Sequence, residues 1–101
     1  MTCDETSVLT SVDIQVDASR MSKVIMWNDD TTAMDAVVLI LQKVFQKAEA
    51  EAVFLMLFVH TEGKAVVEEC PRKLARAHRI EAMRLARQLG YPDFKITVEE
   101  S

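Results

Sequence analysis

The chain has 101 residues, half of them hydrophobic and 28% charged, with a net charge of −4. That is enough for one small domain with a single core, and the acidic balance argues against a nucleic-acid footprint. Its two cysteines, Cys3 and Cys70, fit neither a disulfide framework nor a zinc spacing and read as free thiols of a reducing compartment.

Residues 1–20, MTCDETSVLTSVDIQVDASR, are rich in Thr, Ser and Asp and carry isolated apolar residues without sustained period. They read as a flexible acidic tail, with a core domain over 21–101. The start lacks the basic head and apolar run of a secretory segment. The longest apolar run, AVFLMLFV at 52–59, is too short to span a bilayer. The expectation is a cytoplasmic protein, or one of the plastid stroma, without membrane contact.

KVIMW (23–27) reads as a strand and NDDTT (28–32) as a loop entering a helix. Thr32 with Asp35 three residues on resembles a capping box. Apolar residues at Met34, Val37, Val38, Leu41, Val44 and Phe45 predict a helix over 33–46. A second helix is expected over 48–62, ended by Gly63. KAVVEE (64–69) reads as a strand, Pro71 suits the first turn of a third helix to Leu89, and Gly90 and Pro92 stop it. FKITVEE (94–100) alternates as a half-buried strand. The predicted fold is α+β: a small three-stranded antiparallel sheet packed on three helices, in the order β-α-α-β-α-β.

NDD raises a chemical question, because two carboxylates and an amide sit at the mouth of an apolar segment. Asn and Asp favour turns and helix starts, so one reading is a turn alone. The other is a set of acceptors holding a positive group beside an apolar hole. Met34, Val37, Met56 and Val59 at helical spacing are, on pattern alone, more often ordinary core. His60, near a helix end, fits an interaction with the dipole and the last carbonyls. His78 reads as partly buried or as part of a partner surface, and Cys70 as a strand-end core residue. Asp29, Asp30 and His60 lack a second nearby His, a Cys at ligand spacing or a Gly-rich phosphate loop, so no catalytic role, metal or cofactor is expected.

Three blocks taken together, KVIMWNDDTTAMDAVVLILQKVF, AVFLMLFVHTEGKAVV and GYPDFKITVEE, resemble the ClpS adaptor family. The resemblance runs from about Lys23 to Glu99. It implies a ClpS-like fold, shared with the C-terminal domain of a ribosomal stalk protein. It also implies a non-enzymatic adaptor that binds substrates with a free bulky hydrophobic N-terminal residue (Leu, Phe, Tyr or Trp) and delivers them to a Clp-type AAA+ unfoldase, ClpA- or ClpC-like. Asn28, Asp29 and His60 would hold the substrate's α-ammonium and first peptide unit. Met26, Trp27, Thr32, Met34, Val37, Met56, Val59 and Phe94 would line the side-chain pocket, with Met34 excluding β-branched residues. The tail would help engage the unfoldase pore. The chemistry is coherent. An ionised Asp is a strong acceptor for an ammonium, an Asn amide accepts and donates, and a neutral imidazole accepts through one ring nitrogen.

The sequence departs from the family at several positions. Trp27 stands where a medium aliphatic residue is usual, implying a narrower pocket that favours Leu or Phe over Trp. Ala33 replaces a common Pro. Phe94 is aligned with a pocket-floor leucine because it keeps phase with Ile96 and Val98. Lys73 and His78 occupy the positions of an acid and a lysine that dock the protease, on a notably basic third helix. The alternative reading is a protein–protein module of this fold, working through that helix without recognising chain ends.

Overall fold

The apolar segment around Val24, Ile25 and Met26 is a central strand, paired on both edges. The computed structural model describes residues 21–100; the expected tail, residues 1–20, lies outside the described residues. The elements are β1 (Met21–Trp27), α1 (Met34–Lys43), α2 (Glu49–Glu62), β2 (Lys64–Pro71), α3 (Arg72–Gln88) and β3 (Ile96–Glu100). The sheet is antiparallel in the order β2-β1-β3. This is the expected α+β order.

Alternation along the strands decides which side is covered. Val24 and Met26 of β1, Ala65, Val67 and Cys70 of β2 and Ile96 of β3 are buried. The switch from odd to even inward positions in β2 coincides with a register shift opposite Val24/Ile25, a bulge that lets one strand bury both Val67 and Cys70. The core partners are Ile40, Leu41, Val44 and Phe45 after and within α1, Ala52 and Val59 of α2, and Ala75, Ala82 and Ala86 of α3. Three alanines on the inner side of α3 let that helix approach the sheet closely. α2 is apolar all round: Phe54 is 62% exposed, and Val53, Leu57 and Phe58 are exposed as well.

Several boundaries differ from the sequence expectation, four of them with a physical reason. The cap of α1 is Ala33, without a side-chain hydrogen bond. Thr32 instead donates its hydroxyl to Asp29, so no capping box forms with Asp35. α1 ends at Lys43 because the chain must turn into α2, and Gln46 takes the left-handed φ of 55° to do it. Pro71 ends β2 and is the cap of α3 rather than its first turn; its fixed φ suits both roles. Phe94 precedes β3, its N–H donating to the Tyr91 carbonyl at 3.3 Å, yet it is buried in phase with Ile96.

Gly63 links the fold to the loop that follows β1. It closes α2 with φ 94°, its N–H donating to the Val59 carbonyl, while its own carbonyl accepts from the Asn28 N–H at 2.8 Å. An added Cβ would meet nothing within 4 Å, so the cost of Gly63→Ala is conformational alone. It should lower stability by about 1–2 kcal/mol, read from urea unfolding, without altering the core.

Candidate functional site

Strand β1 ends at Trp27, and the chain then passes over the C-terminal end of α2. The Asn28 N–H to Gly63 carbonyl bond fixes that crossing. The 28–33 loop is therefore held against the last turn of α2, which carries His60. Val59, one residue before, is buried in the core, so the helix cannot rotate without losing that packing. Met56, Val59 and His60 share one face by their spacing of three and four.

These elements surround a cavity of about 250 Å³. It is lined by Met26 and Trp27 at the end of β1, by Asn28, Asp29, Asp30, Thr32 and Ala33 of the loop, and by Met34 and Val37 at the start of α1. Met56, Val59 and His60 of α2 and Phe94 before β3 complete it. All eleven residues expected to contact a chain end or its side chain meet in this one cavity. Sequence reasoning omitted Asp30 and Ala33 as lining residues. Their position inside the NDDTTAM stretch was the available signal.

The cavity is apolar within and polar at the rim. Met26, Val59 and Phe94 are buried and form its inner wall. Met34, the first residue of α1, is 44% exposed and stands at the mouth. Asn28 and Asp30 are also exposed, joined by a 3.5 Å contact from the Asn28 amide to the Asp30 carboxylate. Asp29 Oδ2 accepts hydroxyl hydrogen bonds from Thr32 and from Thr31, the latter at 2.8 Å. The Thr32 hydroxyl above all, opposed by desolvation and helped by the Thr31 hydroxyl and both backbone N–H groups, holds the Asp29 carboxyl below its usual range.

Trp27 does not plug the cavity. It alternates with the inward Met26. Its indole N–H donates to the Thr97 hydroxyl at 2.8 Å, and the Lys64 and Lys95 ammonium groups lie 4.9 and 4.8 Å from its ring centre. These partners anchor the ring on the sheet's open face, so Trp27 borders the cavity without filling it. At about 30 Å³ per liquid-water molecule, 250 Å³ is ample for an organic side chain.

Lys73 and His78 do not come together. Lys73 is exposed. His78 is half-buried, its Nδ1 2.6 Å from the Glu68 carboxylate and its ring edge-on to Phe45 at 5.6 Å. It ties α3 to β2. The neighbouring Cys70 thiol is buried, and its pKa is pushed up to about 11 by burial and then by the Glu68 charge, as befits a core thiol. Among the described residues, no group of three or more His, Cys, Asp or Glu side chains is placed to hold a metal, and no helix is long and apolar enough to cross a membrane.

A three-stranded sheet with helices on one face, carrying an apolar cavity rimmed by an amide, carboxylates and an imidazole, defines a small binding module. Comparison with known proteins identifies which one. The profile of the family described as ATP-dependent Clp protease adaptor protein ClpS matches residues 17–95, and the chain belongs to that family. It is 38% identical over 87 residues to the ClpS adapter of Nautilia profundicola, covering 86% of this chain and 90% of that one. With the Neisseria meningitidis ClpS adapter it shares 39% over 88 residues, covering 87% and 84%. The structure of Agrobacterium tumefaciens ClpS2 bound to L-phenylalaninamide superimposes with a TM-score of 0.77 at 33% identity, covering 81% of this chain and 98% of that one. The chain is thus an adaptor of the Clp protease system rather than the protease.

The hydroxyls on Asp29 have a measurable consequence. A carboxyl depressed on folding contributes stability above its unfolded pKa, and that contribution is lost as pH falls through the folded value. Thr32→Val should move the Asp29 titration upward, toward an ordinary aspartate, and shrink that acid-side contribution. A carboxyl carbon NMR titration checks the shift; an unchanged midpoint would show that the Thr32 bond does not hold the charge.

Proposed function

We propose that this adaptor captures proteins through a free N-terminal Leu, Phe or Tyr residue and hands them to a Clp-type AAA+ unfoldase. The observation that carries the reading is the convergence of Asn28, Asp29 and His60 with the apolar lining in one cavity. A free chain end offers an ammonium with three donors and, on the same carbon, its first side chain. Asp29, ionised and oriented by Thr31 and Thr32, accepts from the ammonium. Asn28 accepts from it and donates to the first peptide carbonyl, and His60 accepts through a ring nitrogen. The side chain enters between Met26, Val37, Met56, Val59 and Phe94, and Met34 at the mouth crowds a branch at Cβ. The ligand of the Agrobacterium ClpS2 structure, L-phenylalaninamide, has both features, an α-amino group and a phenyl side chain.

The magnitudes agree. A charge-assisted hydrogen bond contributes about 1.5–3 kcal/mol, and burying a Leu or Phe side chain about as much. A few such terms, less ordering costs, lead to micromolar affinity, about −8.2 kcal/mol at 1 μM.

The single tryptophan, Trp27, borders the cavity and supplies a fluorescence readout. Peptides beginning with Leu or Phe should bind with Kd on the order of 1 μM. Their acetylated twins, which lack the charge and two donors, and Val-starting peptides should not bind measurably. Equal binding of all three would remove the proposal in favour of a module acting through α3, which is indifferent to the chain end.

Asp29→Ala should weaken Leu-peptide binding by roughly ten- to a hundredfold with an unchanged circular dichroism spectrum. Loss of the fold instead would make Asp29 a structural residue. For delivery, a Leu-starting reporter should be degraded by a Clp AAA+ protease faster with this adaptor present; an unchanged rate would restrict the function to binding.

A further inference from the structure

The open face of the sheet carries one row of side chains that the core does not use and that adjoins the cavity. Trp27 lies between Lys64, its partner on β2, and Lys95, whose carbonyl accepts the Trp27 N–H at 3.1 Å. Both lysines are exposed, and their ammonium groups lie 4.9 and 4.8 Å from the indole centre. Each also follows a residue of the site. Lys64 comes after Gly63, which fixes Asn28, and Lys95 after Phe94 of the cavity wall. Among the described residues neither lysine has a carboxylate within ion-pair distance. Glu62 and Asp93, two residues before them in the chain, are exposed and pair with neither. The acids of this face, Glu69 and Glu99, flank Lys23, four residues down β1 and about 13 Å away. Two like charges are thus held against one ring beside the cavity, without a counter-charge.

We propose that Lys64 and Lys95, held against Trp27, form a subsite for an acidic side chain at the second or third residue of the captured chain. The subsite rests on the reading of the cavity as a site for a free chain end, and it adds what that site selects beyond the first residue. Trp27 borders the cavity. A chain that leaves the mouth over the indole, at about 3.3 Å per residue, comes beside both ammonium groups by its second or third residue. The ring is fixed by its hydrogen bond to Thr97, and cation–π attraction keeps the lysines on it, so less side-chain freedom is lost on binding. A carboxylate at that point sits within a Debye length, ~10 Å at 0.1 M salt, of both charges. The sign of the effect sets it apart. The chain carries a net charge of −4 and has Asp29 and Asp30 at the rim, which repel an acidic residue near the mouth. A preference for acids therefore has to come from the lysine pair.

The test is a calorimetric titration of the full chain with Leu-starting peptides alike except at residues two and three, which are Glu-Glu, Ala-Ala or Lys-Lys. At ~0.05 M NaCl the Glu peptide should bind roughly three- to tenfold tighter than the Ala peptide, as two exposed charge pairs allow, and the Lys peptide more weakly than both. At ~0.5 M NaCl, where exposed charges are screened, the three should converge. Lys64→Gln with Lys95→Gln should bring the Glu and Ala peptides to one Kd or reverse their order. Equal affinities in the unaltered chain, tightest binding of the Lys peptide, or a Glu preference that survives the double substitution would each overturn the proposal and leave the chain-end reading intact. If no Leu-starting peptide binds, that reading fails and the subsite falls with it.

Discussion

One hydrogen bond, from the Asn28 N–H to the Gly63 carbonyl, joins the two halves of the site. It pins the chain leaving β1 to the residue that ends α2, and so places an amide and two carboxylates beside the turn that carries His60. Both ends of the bond are constrained. Gly63 is left-handed to close the helix, and Asn28 follows a strand whose neighbours Val24 and Met26 are fully buried. Without that pairing the loop and the helix end would share no reference, and the cavity between them would have no defined rim.

The rim also explains a local departure from helix-capping rules. The cap position of α1 is held by Ala33, which has no side-chain acceptor to offer, and the hydroxyl of Thr32 just before it goes to Asp29. A side-chain cap contributes about 0.5–2 kcal/mol, so the helix start is left less stabilised while Asp29 is kept oriented and charged. Local rules broken at a site and compensated by packing elsewhere are expected where geometry serves binding. The compensation here lies in α1 itself, whose Ile40 and Leu41 are fully buried.

Trp27 and His78 show how partners change the meaning of a residue. A bulky indole at the strand end implies a smaller pocket when only its size is considered. The hydroxyl of Thr97 and two flanking lysines hold it on the open side of the sheet, and the cavity stays open. His78 belongs to a helix whose other face is a basic stripe, but Glu68 and Phe45 draw it inward. The helix therefore presents Lys73 and its neighbours to solvent without it.

The linear order already contained the fold, because strand alternation and helical spacing are local properties: the elements and the pairing of an apolar lining with polar acceptors were legible in VIMWNDDTTAM and LMLFVHTEGK. Element ends were less so. Thr32 gives its hydroxyl to Asp29 rather than to the helix start, Pro71 both ends β2 and caps α3, and Gln46 turns the chain between α1 and α2. The meeting of Met26, Met34, Val59 and Phe94 around one cavity, and the side of the sheet taken by Trp27, were tertiary decisions. They depend on which groups come within about 3–5 Å across long stretches of chain, at distances where hydrogen bonds and cation–π contacts act. Spacing along the sequence carries no such information.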